Sequence, residues 1–563
     1  MSIDIETYRL KAQEAIEYVF VKEYHNSLGI PMPIVKMLLP DDANYSTGQY
    51  YITIDKTWQI HLNFGKLPIS YHEFQNEVKV LTRHEIEHYM CCPFDVITHF
   101  RMLKRIKDVY YKHFSHLGIN IKYACGAISN QAADIIVDTK NYYRHSKETL
   151  KSEIDWIKIG ANISACPRHC KLMFLTKEAI WKEDLGINET DPEFLKIVHQ
   201  LADSFTKNGI EDKSSFLDKV EEYAEIFFKL YVEDQKNPQQ SGQQGSQQQS
   251  GQQGSQQQSG QWGVGRPKDG DEHGNAFVFA DPDKVKEAIE VLAEETSVEE
   301  FIDLLAIAGI IGMSDKQKGV LWFNVQSANI IPIVEFSNTG NKSSYTYPSV
   351  WRIGDPIEEL DLMLTYMTSP RLIPGMTTKK WEYVSNDDNG TESKQMDLLL
   401  VVDTSGSMGS AMKESANMHQ AVLASYGILS YFESTKSKVA FIGFSDKIDA
   451  YVDWSDKYDD VRERLLTNGH GGTKFPISRI KSTLDVRSRD LVTVLITDGD
   501  LGNINESVSY FRDYLNDDNK LYIFLLGGSK SLHSYEPLKN IGAKIYNANN
   551  ANEFCDMVLT DME

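Results

Sequence analysis

Two hydrophobic patterns divide the chain. From Gln395 onward, short apolar runs (DLLLVVD, KVAFIGFS, DLVTVLITDGD, KLYIFLLGG and AKIYNAN) alternate with segments of helical spacing. Apolar runs of this kind suit strands buried on both faces, and strand–helix alternation predicts a parallel sheet with helices on both faces. Before Gln239 the apolar positions fall three and four apart. That spacing predicts helices over Glu73–Met90, from near Asp95, near Gly126–Tyr143, and around Asp191–Phe205 and Ser215–Leu230. Tyr50–Ile54 and Gln59–Phe64 read as a short hairpin ahead of them. Asp281–Ala293 and Ser297–Ile310 read as helices, and the stretch from there to Lys394 follows neither pattern cleanly.

Between the two patterns lies a run with no apolar residue, Gln239–Gln261. It contains the unit SGQQGSQQQ at Ser241–Gln249 and again at Ser250–Gln258. Gln, Ser and Gly offer nothing to bury that would offset the entropy of ordering, so the run is expected to be a flexible tether. The expected organisation is a mostly helical block over 1–234, a linker over 235–268, a mixed connecting region over 269–394 and an α/β domain over 395–563.

Charge narrows the functions. With 80 Asp and Glu against 58 Lys and Arg, the net charge of -22 argues against nucleic acid or an anionic membrane as the main partner. It leaves metal ions and basic proteins open. Six cysteines without a regular ladder argue against a disulfide framework. The first residues, MSIDIETYRLKAQEAIEYVF, lack the apolar core of a signal peptide. The most apolar window, Phe301–Met313, is too short to span a bilayer. The expectation is a soluble cytoplasmic protein.

The first group of chemical interest is His84-Glu85-Ile86-Glu87-His88. On a helix, positions i and i+4 project from one face, so both imidazoles can reach one Zn2+, with Glu85 beside them as general base. Leu81, His84, Glu85, His88 and Cys92 share one stripe, which is expected to face inward. The plainer alternative is a buried helix with two hydrogen-bonded histidines. A zinc site needs a third protein ligand. The next helix presents Asn130, Asp134, Asp138 and Asn141 on one stripe. Asp134 is favoured, with Asn130 and Asp138 as the other choices and a solvated helix face as the alternative for the whole stripe. Cys166 and Cys170 could contribute to a second, structural zinc site together with Cys91, Cys92 or Cys125, although buried reduced thiols are commoner.

The second group is Asp403-Thr404-Ser405-Gly406-Ser407, at the end of an apolar strand and ahead of a helix. Ligands of open α/β sheets bind outside the carboxyl ends of the strands. A carboxylate and two hydroxyls offer hard oxygens suited to Mg2+. Gly471-Gly472-Thr473 and Thr497-Asp498-Gly499 add Thr473 and Asp498. There is no G-x-G-x-x-G after Asp403, so dinucleotide binding is not supported.

HEIEHYMCCPFD and NQAADIIVD resemble the HExxH helix and the Asn-x-Ala-Ala-Asp helix of metallopeptidases associated with von Willebrand factor A (VWA) domains. The second segment also resembles the Glu-x-x-Ala-Asp motif of gluzincins, with Asn130 where that motif has its zinc-binding Glu. Residues 395–563 resemble a VWA domain, with Asp403, Ser405, Ser407, Thr473 and Asp498 at the positions of its metal-ion-dependent adhesion site. The resemblance implies a zincin-like domain with His84, His88 and Asp134 on zinc and Glu85 catalytic. It also implies a Mg2+-dependent protein-binding module and a partner of the MoxR-type AAA+ ATPase class. A degenerate metallopeptidase serving as a non-enzymatic adaptor is the competing expectation, and Asn130 favours it.

Overall fold

The computed structural model describes residues 5–548 apart from 29–31, 39–49, 55–58, 65–69, 160–162, 237–281, 309, 311–312, 331–347, 352–359, 362–364, 366–377, 382–395, 488–489, 500, 502, 518 and 527–531. The expected tether at 239–261 lies outside the described residues. The chain forms two compact units, the first built mainly by Met1–Ile289 and the second mainly by Lys379–Glu563.

The first unit contains helices α1 (Ile5–Glu17), α2 (Tyr71–Met90), α3 (Val96–Val109), α4 (Ile121–Ile159), α5 (Arg168–Trp181), α6 (Pro192–Thr206) and α7 (Phe216–Lys236). A small sheet precedes α2. Strands β2 (Tyr50–Ile54) and β3 (Gln59–Phe64) pair antiparallel, as the hairpin pattern predicts, and β1 (Ile34–Leu38) joins β3 in parallel. Tyr8, Ala12 and Ile16 of α1 pack with Ile60 and Leu62 of β3 and with Phe74 and Val78 of α2.

Local chemistry sets where α2 and α3 begin. Ser70 caps α2 in a capping box: its Oγ accepts from Glu73 N, and Glu73 Oε2 accepts from Ser70 N. Asp95 caps α3 by accepting from Thr98 N at 2.7 Å. α4 runs well past the Tyr143 expected from the pattern, and is broken at His145, whose backbone leaves the helical region (φ -135°, ψ 49°). Both arms of α4 lie along α2: Lys140 and Arg144 bind Glu87, while Ser152 donates to Glu77.

In the second unit, six strands form one sheet in the order β12-β11-β10-β7-β8-β9. They are β7 (Asp397–Asp403), β8 (Val439–Phe444), β9 (Ile448–Ser455), β10 (Leu491–Thr497), β11 (Lys520–Leu526) and β12 (Lys544–Ala548). All neighbours are parallel except β9, which is antiparallel to β8. Every residue of β7, β8 and β10 is buried, which is why these strands read as unbroken apolar runs. Leu399, Val401, Leu491 and Leu495 face a core shared with α13 (Ile477–Leu484), α14 (Val508–Asn516) and α15 (Leu532–Lys539). α11 (Asn417–Ser434) packs against β7. α12 is Tyr458–Leu465.

Ahead of β7 stand α8 (Pro282–Glu295), α9 (Val298–Ile307) and α10 (Asp315–Ile330). Short strands β4 (Pro348–Val350), β5 (Leu360–Asp361) and β6 (Lys379–Trp381) form their own antiparallel sheet, β4-β6-β5. Among the described residues, no helix is long and apolar enough to cross a membrane.

Candidate metal centre

The buried stripe expected on α2 is too narrow. Every residue from Thr82 to His88 is buried, so the helix is enclosed on all sides at this level. Two of its charged groups are paired accordingly. Arg83 pairs with Glu23 at 2.6 Å and with Glu148. Glu87 accepts from Tyr24 Oη at 3.0 Å and from Lys140 and Arg144 at 2.9 Å each. These pairs clamp α2 against α4 and fix the turn that carries His84, Glu85 and His88.

His84 Nε2 and His88 Nε2 lie 3.1 Å apart. Asp134 Oδ1, from the first arm of α4, is 3.4 Å from the first and 3.2 Å from the second. Each of the three is held from behind. His84 Nδ1 donates to Asp138 Oδ1 at 2.6 Å, and His88 Nδ1 to the Cys92 carbonyl at 2.8 Å. Asn130 Nδ2 donates to Asp134 Oδ2 at 2.9 Å. A carbonyl only accepts, so His88 carries a hydrogen on Nδ1, and Nε2 is the nitrogen left to offer a lone pair inward.

This arrangement fits a metal. The three inward atoms form a triangle with edges of 3.1, 3.2 and 3.4 Å. Ligands on a tetrahedral ion at about 2.0–2.1 Å are separated by about 3.3 Å. Ring nitrogens held from behind by carboxylate and carbonyl groups are also the usual outer support of metal-bound histidines. The pocket asks for positive charge: burial pulls the His84 pKa down, yet Asp138 and Asp134 outweigh it and raise it to about 10. His84, His88 and Asp134 are thus a buried group that could hold a metal ion. Of the other residues on the α4 stripe, Asn130 orients Asp134 and Asp138 orients His84. Glu85 is fully buried on the same turn of α2.

The Cys166–Cys170 zinc reading is not supported. Among the described residues, no His, Cys, Asp and Glu group other than His84, His88 and Asp134 is close enough to hold a metal. His169, between the two thiols, is bound instead to Asp234 through Nδ1 at 2.8 Å. Burial raises the pKa of both thiols, which keeps them protonated and poorly suited to a metal.

The second group forms where the sheet order reverses. From β7 the chain moves to β8 on one side and later returns to β10 on the other, so the carboxyl ends of β7 and β10 flank a topological switch point. Asp403 ends β7, and Asp498 follows β10. Asp403 Oδ1 accepts from Ser405 N at 2.8 Å, and Oδ2 accepts from Thr497 Oγ1 at 2.6 Å. Ser405 Oγ and Ser407 Oγ are 3.1 Å apart, and Ser407 Oγ donates to Asp498 Oδ1 at 3.0 Å. Asn417 Nδ2 holds Asp498 Oδ2 at 3.0 Å. Four of the five expected residues therefore meet, and their hydroxyl and carboxylate oxygens are the donor type that Mg2+ accepts.

Thr473 is half-buried, and no hydrogen bond links it to the other four. Its loop is nonetheless adjacent, because Gly406 N donates to the Gly471 carbonyl at 3.2 Å. Gly471 has φ +107°, and a Cβ there would lie 2.3 Å from Asp446 Oδ2, so the loop takes this path only with glycine. Burial raises the Asp403 pKa, with Asp498 adding to the rise against the Thr497 and Ser405 hydrogen bonds. A cation would relieve both effects.

Sequence reasoning missed Thr497, Asn417 and the Cys92 carbonyl as supports. Thr497 could have been noticed as the neighbour of Asp498 on the strand next to Asp403. The chain matches no protein-family model and no curated protein.

Proposed function

We propose that the first unit is a zinc-dependent metallopeptidase and the second a VWA domain whose Asp403, Ser405, Ser407, Thr473 and Asp498 hold Mg2+ and bind a protein partner. The observation that carries this reading is the convergence of His84 Nε2, His88 Nε2 and Asp134 Oδ1 on one point, with Glu85 on the same helical turn. Two imidazoles and a carboxylate suit Zn2+. The same donors also suit Fe2+, and metal analysis separates the two.

A divalent cation held there would supply Lewis acidity toward a peptide carbonyl. The chain's own residues do the rest. Asp138 and Cys92 keep both Nε2 atoms facing inward, and Asn130 keeps Asp134 on a single inward oxygen. Glu85 takes a proton from the attacking water and passes it to the leaving nitrogen. The MoxR-type AAA+ ATPase implied by the resemblance is the proposed partner of the second unit.

One observation favours a second reading, a non-catalytic metal-binding adaptor that recruits partners through the VWA site. Glu85 and His88 are fully buried, and closed sites are typical of structural metals. The test uses the purified full chain. About one zinc per chain is expected, lost in the His84→Ala/His88→Ala double variant. Glu85→Gln should keep the metal and lose peptide hydrolysis. Full zinc in the double variant would overturn the site. A metal-loaded wild type that hydrolyses nothing, even with its partner present, would favour the adaptor.

A further inference from the structure

Behind His84 lies a buried ion cluster that the metal reading does not by itself require. Lys177 of α5 is 2% exposed, and its Nζ sits 3.0 Å from Asp138 Oδ2 and pairs with Glu153. The other Asp138 oxygen is the one that accepts from His84 Nδ1. A line of contacts thus runs from Glu153 through Lys177 and Asp138 to His84.

The backbone is arranged to allow this. Asp138 and Glu153 belong to α4, and on an unbroken helix they would lie about 22 Å apart. The break at His145 separates the two arms, and both carboxylates reach the same ammonium. Buried ion pairs contribute little net stability, because desolvation offsets most of the attraction. A lysine enclosed here therefore calls for another reason. Asp138 supplies one: with Oδ2 held by Nζ, the carboxylate cannot rotate, and Oδ1 stays on the imidazole.

We propose that Lys177 is a positioning residue for the ligand His84. By gripping Asp138 Oδ2 it keeps Nδ1 of His84 engaged and Nε2 aimed at the metal. The proposal rests on the metal reading of His84, His88 and Asp134.

The test is Co2+ affinity of the full chain, measured by competition with a chelator, together with the visible spectrum of the cobalt form. Lys177→Met should weaken binding by about 10–100-fold, the range for outer supports of metal ligands, and should shift the spectrum. Asp138→Asn should weaken binding too, and adding Lys177→Met to it should cost little more, because the lysine acts through Asp138. If Lys177→Met alone does not fold, Lys177→Met/Glu153→Gln removes one cation and one anion together and should show the same loss. Wild-type affinity in either folded variant overturns the proposal. So does a Lys177→Met loss that persists in full on the Asp138→Asn background. A wild type that binds no metal sinks this proposal and the metal reading alike. A wild type that binds, beside a folded Lys177→Met that binds equally, sinks this one alone.

Discussion

Asn130 and Asp134 have separate roles in the α4 segment. Asp134 turns Oδ1 to the two histidines, while its Oδ2 is held by Asn130 Nδ2. The two substitutions should therefore differ in degree. Asp134→Ala removes an anionic donor, and metal affinity should fall by more than the roughly 100-fold limit for an outer support. Asn130→Ala leaves the donor in place but free to rotate, and should cost about tenfold. Chelator competition on both variants checks the order. Equal losses would mean that Asn130 is itself a ligand. At the same scale, Arg83 just before HEIEH and Glu87 within it show that charged residues are buried here because α4 and the segment after α1 bring partners to them.

Helix α10 packs on α11 through aromatic contacts around a buried histidine. His419 lies 5.3 Å from Trp322 and 5.2 Å from Phe323, and its Nδ1 donates to the Ala411 carbonyl. Burial lowers its pKa, against smaller upward pulls from that hydrogen bond and from Glu414. The unfolded chain takes up the proton first, at about pH 6.5. The stability that neutral His419 contributes is thus present above about pH 6.5 and is lost as pH falls toward its lower folded value. Thermal melts between pH 7.5 and 5.5 should show the second unit weakening as pH falls. His419→Gln should flatten that dependence. A slope unchanged in the variant would assign it to other groups.

Across the whole molecule, the His84 group and the Asp403 group are each assembled within one unit, so the two should be separable by substitution. If the Asp403 group holds Mg2+ as proposed, Asp403→Ala should lower that affinity and leave metal binding at the His84 group unchanged. It also strands the Ser405 N–H and the Thr497 hydroxyl, at a cost of about 1–3 kcal/mol each. Asp403→Asn, which keeps an acceptor, should lose Mg2+ affinity at a smaller cost to stability. If the partner bridges through Mg2+, its capture should fall in EDTA and in both variants, and less in Thr473→Ala, which removes a neutral oxygen. Capture that persists in EDTA, with circular dichroism unchanged, would show binding through an ordinary surface patch.

What the amino-acid sequence determined by itself was whatever depends on near neighbours. The i, i+4 spacing put His84 and His88 on one helix face, and apolar runs marked the buried strands β7, β8, β10 and β11. Ser70 and Asp95 set the starts of α2 and α3 through caps that reach only three residues. Asp134 could be favoured as the third donor because the α4 stripe is also a local pattern. Tertiary structure decided what depends on distant parts meeting. β1 joins its sheet in parallel, a pairing without a turn to signal it. Asp138 serves His84 from behind, and Lys177 reaches Asp138 from a different helix, 39 residues away. Nothing in the spacing of Lys177 distinguishes it from a solvated lysine. Only the break at His145 and the packing of α5 bury it among carboxylates, where its charge has to be matched.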